Sequence, residues 1–437
     1  MNYLEFDVPE TLKKRVAEFI SNVTHAPLLS IPAFIILNFF LLDWINFILI
    51  SGICVFFAAL LPVGILIFWT KSIKKDEVDL PKKEDRHYPF LIVIGSYFIG
   101  TVFLFALNAP PITTCLMFCY FSNTLIVFFI NLYWKISVHS MGVAGPSTAL
   151  FFTFSYYGLI LALLIPLVMW SRVYLNRHTM AQVIAGASLG FILTGIQIKI
   201  LYEFLFNTNF DIFPFLWVIY AFIGPALVLS IAGYLNINGI KDGYTRKFFH
   251  FIGFISIVIF LHYAPFGASI SFIASGILYV AISCFSGKGF LWLEGMKRKS
   301  DAPYEIFYVI LPMVSTILGL CVAWVFLGHP YVEIGMLCVA IGDAIAEPVG
   351  VTLGKHKYFV HSLVGHPSQR SWEGSLAVMI TCGLIVFLAT NNVIVSLLIS
   401  LILAYIEAVS PRGTDNFTIC IAAALMVYCW TSIPLIL

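Results

Sequence analysis

Charge is scarce in this sequence. Only 11% of its 437 residues are Asp, Glu, Lys or Arg, and 60% are hydrophobic. An average soluble domain has about 25% charged residues, so this composition excludes a soluble globular protein and a disordered chain. The mean hydropathy of +0.97 points the same way. A chain this apolar is typical of a protein embedded in a lipid bilayer.

Segments of about ten residues with alternating polarity, the pattern of transmembrane β-strands, are also missing. The apolar runs are instead roughly 17–25 residues long, which is the length an α-helix needs to cross a bilayer. The sequence therefore predicts an all-α, polytopic integral membrane protein with about 15 transmembrane helices in two helical-bundle domains. The predicted spans are 28–47, 49–70, 89–108, 110–133, 138–154, 158–171, 179–201, 213–235, 248–264, 267–285, 304–328, 331–353, 373–390, 391–409 and 416–436.

Paired cysteines and a cleavable leader are two further absences. The nine cysteines form no CxxC pair and nearly all lie in apolar runs, so we expect them to pack as small apolar residues. The first 27 residues contain no apolar core and no cleavage site, so we expect no cleaved signal peptide. The net charge of +2 gives no reason to expect a nucleic-acid partner.

Positive charge lies on one side of the predicted spans. With fifteen spans, the segments on the N-terminal side hold 23 of the 24 Lys and Arg residues, all except Lys199. Because cytoplasmic loops are rich in Lys and Arg, we expect this side to face the cytoplasm. This one-sided distribution of Lys and Arg requires the chain to turn at residues 155–158, so that two spans lie where one could be read. A single helix over 147–170 is the alternative, and it would place basic loops on both sides of the membrane.

A polar loop over residues 236–247 separates two halves with different motifs. It follows the span that ends at Leu235, and no tandem repeat relates the two halves. We therefore expect one domain over residues 1–235 and a second over residues 236–437.

The second half contains two carboxylates inside an apolar run. Asp343 and Glu347 lie four residues apart and would share one helix face. Charged groups inside a membrane segment are costly and indicate a functional site, and carboxylate oxygens suit Mg²⁺, which usually arrives with nucleotide phosphates. Gly350 and Gly354 continue this face and would let a phosphate or another backbone approach. Pro348 is expected to interrupt the helix.

Further charged groups are predicted at the same end of these spans. Cations there would neutralise phosphates, and carboxylates would hold a metal or accept a proton. The candidates are Arg246, Lys247 and His250 at the start of the half, Lys355, Lys357, Arg370, Glu373 and Gly374 after the carboxylate pair, and Glu407, Asp415 and Asn416 near the end.

Together these motifs resemble the CTP-dependent polyprenol kinases, a family that includes dolichol, phytol and diacylglycerol kinases. The resemblance rests on G-D-x-x-A-x-x-x-G-x-x-x-G-K-H-K, then R-S-x-E-G-S, then Glu407 and Asp415-Asn416, and it covers roughly residues 240–437. It implies transfer of the γ-phosphate of CTP to a lipid alcohol, either an isoprenoid or diacylglycerol, with Mg²⁺ as cofactor. Arg370 departs from the family, which usually has Lys there, a cation with a different donor geometry.

The resemblance also implies roles for single residues. Asp343 would hold Mg²⁺, with Glu347 or Glu373 as a second ligand. Lys355, Lys357 and Arg370 would neutralise the triphosphate, and either Glu407 or Asp415 would accept the proton of the alcohol. A phosphatidate cytidylyltransferase could use the same arrangement to make a CDP-lipid, and that alternative stays open.

The first half carries two histidines beside basic residues. His139 follows Lys135 at the start of one predicted helix, and the run Ser171-Arg172-x5-His178 leads into another. Lys83 and Arg86 lie in the loop before a third span. With the turn at residues 155–158, all these segments return to the same side of the membrane.

These residues resemble the type 2 phosphatidic acid phosphatase superfamily over roughly residues 30–235. Ser171-Arg172-x5-His178 matches its third motif, and His139 stands where the second motif has its histidine. The resemblance implies that His178 attacks phosphorus and that His139 protonates the leaving alkoxide. The groups that would bind the phosphoryl oxygens are Lys83, Arg86, Lys135 and Arg172.

Gln182 stands where this superfamily has an aspartate. Its side chain can accept a hydrogen bond from the His178 ring, but it cannot stabilise the imidazolium as a carboxylate would. We therefore expect a slow phosphatase or a pseudoenzyme that binds lipid phosphate.

The leading hypothesis for the whole chain is a bifunctional lipid enzyme, in which a CTP-dependent lipid kinase is fused to a lipid-phosphate phosphatase at the cytoplasmic face. Its expected partners are a lipid alcohol, a lipid phosphate, a nucleotide and the membrane. A lipid transporter is a further interpretation, but transporters usually carry their charges near the midplane in matching halves. Here the charges are predicted to cluster at one face.

Overall fold

The computed structural model describes residues 8–72, 87–206 and 211–432. These residues are almost entirely α-helical, and the only strands among them form one two-stranded antiparallel hairpin. By length and composition, ten of the described helical segments could cross a membrane, or eleven if a pair bent by 58° counts as one span. The chain is an all-α polytopic membrane protein, as predicted.

Each of the fifteen predicted spans lies mainly within helix where it is described. Length and composition single out fewer segments because two apolar helices, Phe90–Ala106 and Val393–Val409, are short, and because Val138–Tyr174 is taken as one stretch of 37 residues. The predicted break between the first two spans, at residue 48, is misplaced. The structure breaks the helix at residues 42 and 43. There the Asp43 side chain accepts hydrogen bonds from the backbone amides of Ile45 and Asn46 and so begins the next helix.

The described residues divide into two compact units. The N-terminal unit comprises residues 9–226 and 270–278, and the C-terminal unit comprises residues 227–269 and 279–432 together with Val8. The predicted domain boundary between residues 235 and 236 stays a prediction.

The N-terminal unit is a bundle of apolar helices preceded by a shorter amphipathic one. Its helices are α1 (Glu10–Val23), α2 (Ala26–Leu41), α3 (Trp44–Val55), α4 (Leu61–Ser72), α5 (His87–Ala106), α6 (Pro111–Tyr133), α7 (Val138–Phe154), α8 (Leu164–Tyr174), α9 (Met180–Phe206) and the first part of α10 (Phe213–Ile237). A π-helical turn joins α3 to α4. The sequence analysis missed α1, which packs against α8.

The chain reverses direction after α7, which confirms the turn predicted at residues 155–158. Ser155 has a left-handed φ of 54°, and a 3-10 segment, Ser155–Leu163, then leads back to α8. A Cβ at Gly158 would lie 2.2 Å from the carbonyl oxygen of Leu150, so only glycine fits there. A single straight helix over 147–170 is therefore wrong.

The C-terminal unit holds the remaining helices. They are α11 (Asp242–Tyr263), α12 (Phe266–Ser286), whose middle belongs to the N-terminal unit, α13 (Leu291–Met296), α14 (Glu305–Leu327), α15 (His329–Leu337), α16 (Ala344–Thr352), α17 (Trp372–Thr390), α18 (Val393–Val409) and α19 (Asp415–Ser432). Strands β1 (Lys357–Val360) and β2 (Ser368–Ser371) form the hairpin between α16 and α17, with Lys357 opposite Ser371.

The irregular turn near the predicted carboxylates ends at the first of them, Asp343. The π-helical segment Cys338–Asp343 connects α15 to α16, and α16 continues through Pro348 as far as Thr352. The expected break just after Glu347 is therefore wrong, and the alternative expectation of a kink at Pro348 stays a prediction. π-Helical turns inside α-helices are frequent at functional sites, because the extra residue redirects the side chains that follow it.

Candidate functional site

Lys247 brings the two predicted carboxylates together. Its Nζ lies 2.6 Å from Asp343 Oδ1 and 3.6 Å from Glu347 Oε2, and it also donates to the Asp343 carbonyl oxygen at 2.9 Å. Arg298 forms a further ion pair with Glu347. We call these four residues the Lys247 cluster. None of the four side chains is more than 23% exposed, so their charges must be matched within the protein.

The local sequence explains this convergence. Lys247 lies in the second turn of α11, Asp343 ends the π-helical turn, and Glu347 follows four residues later in α16. The same-face prediction for Asp343 and Glu347 is thereby confirmed. Arg298 follows the short helix α13 and was missed, because its distance along the chain gives no hint of the contact.

The Lys247 cluster has the donor chemistry for a divalent cation. The Lys247 ammonium already lies where the two carboxylates converge, and Mg²⁺ commonly binds through one or two carboxylates together with substrate phosphates. Within the part of the chain that the structure describes, no group of three or more His, Cys, Asp or Glu side chains could hold a metal alone. The residues therefore fit an ion that arrives with phosphate oxygens as additional ligands.

Arg370 joins two other predicted carboxylates. Its guanidinium lies 2.9 Å from Asp415 Oδ2 and 3.0 Å from Glu407 Oε1, and we call these three residues the Arg370 cluster. Ser375 donates to Glu407 at 3.0 Å and shares a 2.7 Å hydrogen bond with the hydroxyl of Tyr358. Burial lowers the pKa of Arg370, but the neighbouring Asp415 and Glu407 outweigh it and hold that pKa above its usual value.

The two clusters belong to one electrostatic system. The charges of Asp343 and Lys247 act on the Asp415 carboxylate, and that of Asp343 also acts on Glu407 and Arg370. The structure thus brings together residues from α11, α16, β2, α18 and α19 in one unit. Like charges this close raise the energy of the carboxylates unless cations or a ligand compensate them.

A third buried ion cluster was only partly foreseen. Arg246 donates to Asp301 at 3.3 Å and to the Tyr308 carbonyl oxygen at 3.0 Å, and Arg412 pairs with the other carboxylate oxygen of Asp301. The Asp301 side chain is completely buried, and the Arg412 guanidinium also lies 4.4 Å from the centre of the Tyr308 ring. Arg246 was predicted as a phosphate ligand, whereas Asp301 and Arg412 were not identified from the sequence.

The predicted glycines pack between helices. A Cβ at Gly354 would lie 2.7 Å from Ser371 Oγ, and one at Gly374 would lie 2.9 Å from the Ala346 carbonyl oxygen. Gly350 also faces Ser371 Oγ. The small residues therefore allow close approach of another backbone, one of the two expectations for them, and their contact with nucleotide stays a prediction.

The loop after α16 is ordered by Glu373. Its carboxylate accepts hydrogen bonds from the backbone amides of Lys355 at 3.0 Å and His356 at 3.2 Å, and from the His356 ring at 2.8 Å. Lys357 Nζ donates to the Gly350 carbonyl oxygen at 2.8 Å, and Lys355 is exposed. Glu373 thus contacts the loop rather than the Lys247 cluster, and its role as a metal ligand stays a prediction.

Two further predicted residues lie beside the clusters. Asn416 donates to Thr316 at 2.9 Å and so joins α19 to α14. His250 lies one turn after Lys247, and its Nδ1 is buried without a hydrogen-bond partner in the described residues. The charges of Arg246, Lys247 and Asp343 act on the buried His250 ring, and its contact with a nucleotide stays a prediction.

The N-terminal unit contains a separate cavity with a volume of about 160 Å³. His139 from α7, Arg172 from α8 and His178 from the loop before α9 all line it. Each of these side chains is at least nine-tenths buried, and the Arg172 guanidinium donates to Ser21 Oγ at 2.6 Å. The turn after α7 reverses the chain, so the end of α8 lies near the start of α7. The two predicted histidines and one predicted arginine therefore line the same cavity.

Gln182 contacts His178 as predicted. The distance between His178 Nδ1 and Gln182 Oε1 is 3.2 Å, and the same oxygen accepts the Thr179 amide at 3.1 Å. Because Oε1 can only accept, Nδ1 is the donor in this contact, and Nε2 is the ring nitrogen that could attack phosphorus. This arrangement suits a histidine that acts as a nucleophile.

Of the other three basic residues predicted in this half, the structure describes one, Lys135. Lys135 donates to the Arg177 carbonyl oxygen at 2.8 Å and so fixes the loop between Arg172 and His178. Lys83 and Arg86 lie outside the described residues. The sequence analysis missed His25, which lines the cavity and packs edge-on against His139 with ring centres 5.2 Å apart.

No protein-family model and no solved structure matches this chain. A phytol kinase from Synechocystis sp. is 32% identical over 146 residues, which cover 31% of this chain and 57% of the relative. The chain therefore spans little more than half the length of the curated relative it matches. It contains a phytol kinase-like region, in agreement with the predicted resemblance to polyprenol kinases.

Proposed function

We propose that the C-terminal unit is a CTP-dependent lipid kinase, which transfers the γ-phosphate of CTP to an isoprenoid or related lipid alcohol. The observation that carries the proposal is the convergence of Asp343 and Glu347 on one cation beside the Arg370 cluster. The similarity to a phytol kinase supports the reaction class. Phosphoryl transfer depends mainly on positioning and charge compensation, which such a cluster can supply.

Asp343 and Glu347 are the residues that would hold Mg²⁺. The ion would neutralise charge on the phosphate oxygens when bound with nucleotide. Lys247 then turns from the carboxylates towards the phosphates, since its flexible side chain already contacts both acids. Lys355 and Lys357 bind the outer part of the triphosphate, and Arg370 keeps the neighbouring carboxylates in place.

Asp415 is the better candidate for the proton acceptor. Ser375 and Arg370 both hold Glu407, so its two oxygens already have partners. Asp415 contacts Arg370 through Oδ2, while its Oδ1 accepts a longer hydrogen bond of 3.2 Å from the adjacent Asn416 amide, and the charges of Asp343 and Lys247 also act on it. In the proposed step the alcohol oxygen bonds to the γ-phosphorus, the bond to the β-phosphate oxygen breaks, and Asp415 takes the hydroxyl proton.

Both candidate sites are proposed to face the cytoplasm, where CTP is available. The support is the distribution of Lys and Arg, of which 23 of 24 lie on the predicted N-terminal side of the spans.

The decisive experiment supplies purified full-length protein with Mg²⁺, lipid alcohols and CTP labelled at the γ or the α phosphorus. Label from the γ position in the lipid supports the kinase, label from the α position supports a cytidylyltransferase, and label from neither refutes both. Asp343→Asn should lower γ-transfer at least about 100-fold. Glu333→Gln is the matched control, because Glu333 lies on α15 and pairs with His262 instead of the Lys247 cluster.

We propose as a second activity that the N-terminal unit hydrolyses lipid phosphates. The supporting observation is the meeting of His139, Arg172 and His178 at one cavity. His178 Nε2 forms a bond to phosphorus while the bond to the alkoxide breaks, and His139 donates the proton that the leaving alcohol needs. Water then releases phosphate from His178.

Phosphate release from a lipid phosphate without CTP tests this second activity. His178→Ala should abolish release and leave γ-transfer from CTP intact. Unchanged phosphate release in this variant would exclude His178 as the nucleophile.

A further inference from the structure

We infer that the cavity of the N-terminal unit selects lipid phosphates with a single hydrocarbon chain and excludes those with two. The inference rests on the proposed phosphatase site, because the same histidines and arginine line the cavity. It adds the class of lipid that the site accepts.

The cavity combines a charged end with an apolar interior. Beyond His139, Arg172 and His178, its walls include Leu116 and Val127, both almost completely buried. A phosphate would be held by the basic residues, and a hydrocarbon chain would contact the apolar walls. This division of polarity matches an amphiphile with one compact anionic group.

The volume limits the number of chains. The cavity measures about 160 Å³. A protein cavity of about 150 Å³ accommodates one benzene-sized molecule, so this space takes roughly the first five or six carbons of one chain. A two-chain glycerolipid carries a second branch close to its phosphate, and there is no room for that branch.

The walls resist widening. Asn123, which lines the cavity, donates to Thr194 at 2.9 Å and accepts from Gln197 at 3.0 Å. A Cβ at Gly142 would lie 2.6 Å from the Ala26 Cβ, so α7 and α2 are already in tight contact. Making room for a second chain would break these buried hydrogen bonds, and an unsatisfied buried polar group is costly.

A further group in the cavity requires a ligand or a water molecule. The hydroxyl of Tyr120 is buried, lines the cavity and forms no hydrogen bond within the described residues. Buried hydroxyls are normally satisfied, so this one calls for a water molecule or a polar group of the bound lipid.

The test compares two probes on the full-length protein in detergent without CTP. Binding and hydrolysis of phytyl phosphate, with one chain, are measured against dioleoyl phosphatidate, with two, and inorganic phosphate reports binding of the anion alone. We expect phytyl phosphate to bind at least about fivefold more tightly than phosphatidate. A smaller preference, a reversed one, or no binding of phytyl phosphate overturns the inference.

These results separate the inference from the proposed activity. Tight binding of phytyl phosphate without hydrolysis retains the single-chain site and refutes the phosphatase. Equal hydrolysis of both lipids retains the phosphatase and refutes chain selection.

Two cysteines on α6 provide a matched pair of variants. Cys119 lines the cavity, whereas Cys115, one turn earlier and equally buried, does not. Cys119→Phe should fill the cavity and weaken phytyl phosphate binding at least about tenfold, and Cys115→Phe should leave it unchanged. Similar effects of the two variants overturn the inference.

If Cys119→Phe does not fold, the comparison of phytyl phosphate with dioleoyl phosphatidate on the unmodified protein decides the inference by itself.

Discussion

Replacing Arg370 by Met would leave Glu407 and Asp415 without the cation that they share. The guanidinium lies 3.0 and 2.9 Å from these carboxylates, which are only 10% and 15% exposed. Removing one partner of a buried ion pair costs about 3–5 kcal/mol, because the remaining charge stays desolvated. The residual exposure favours the lower end, or about 3 kcal/mol.

The assay is thermal unfolding of the full-length protein in detergent. For a unit of this size each kcal/mol shifts the Tm by roughly 2–4 °C, so Arg370→Met should lower the Tm by about 10 °C. Arg370→Lys keeps the charge but loses the forked geometry that reaches both carboxylates, and it should cost about a third as much. Lys288→Met is a control for lost positive charge, since Lys288 is 66% exposed and its ion pair with Glu305 is worth at most about 1 kcal/mol.

Neutralising the two carboxylates as well shows whether Arg370→Met lowers stability through unpaired buried charge or through lost packing of the Arg370 side chain. Combining Arg370→Met with Glu407→Gln and Asp415→Asn removes the buried charges and should recover most of the lost stability. If Arg370→Met melts within 2 °C of the wild type, or if the triple variant is no more stable than the single one, the charge argument is refuted.

Three further predictions concern activity and topology. Asp415→Asn should lower γ-phosphate transfer from CTP more than about 100-fold and Glu407→Gln less than tenfold; the opposite order in a transfer assay would make Glu407 the base. Gln182→Glu should speed phosphate release at least about tenfold, because a carboxylate stabilises the imidazolium of the neighbouring histidine, and slower release would contradict this. In a background without the exposed native cysteines, Lys14→Cys should react with an impermeant thiol reagent from the cytoplasmic side and Tyr157→Cys from the opposite side; labelling from one side would refute the fifteen-span topology.

The helical fold could be predicted because the bilayer allows few solutions. A chain in lipid must satisfy its backbone internally, so long apolar runs predict helices, and the predicted bounds agree closely over most of the described chain. The misplaced break near Asp43 shows the limit of this argument. Hydropathy hardly changes there, and the informative signal was the capping side chain, which binds the amides of Ile45 and Asn46.

The candidate site could be predicted in part for a similar reason. A carboxylate such as Asp343 is conspicuous inside an apolar run, and helical spacing relates it to Glu347. The partners in loops could not be predicted, since Arg298 and Asp301 lie in a polar segment where charge is ordinary. Their contacts with Glu347 and Arg246 depend on the packing of α13, α14 and α16, which no local pattern encodes.

The arrangement of charge in the C-terminal unit explains why a kinase there would need the loop after α16. The Lys247 cluster, the Arg370 cluster and the third cluster of Arg246, Arg412 and Asp301 contain five cations and five carboxylates. The three together are therefore neutral before any ligand binds. A nucleoside triphosphate with one divalent cation still carries excess negative charge, which neutral clusters can orient but cannot compensate. Lys355 and Lys357 form no ion pair in the described residues, and Glu373 holds the backbone of their loop beside α16 and α17. In the proposed kinase they would supply the positive charge that the buried clusters, already neutralised by their own carboxylates, do not have.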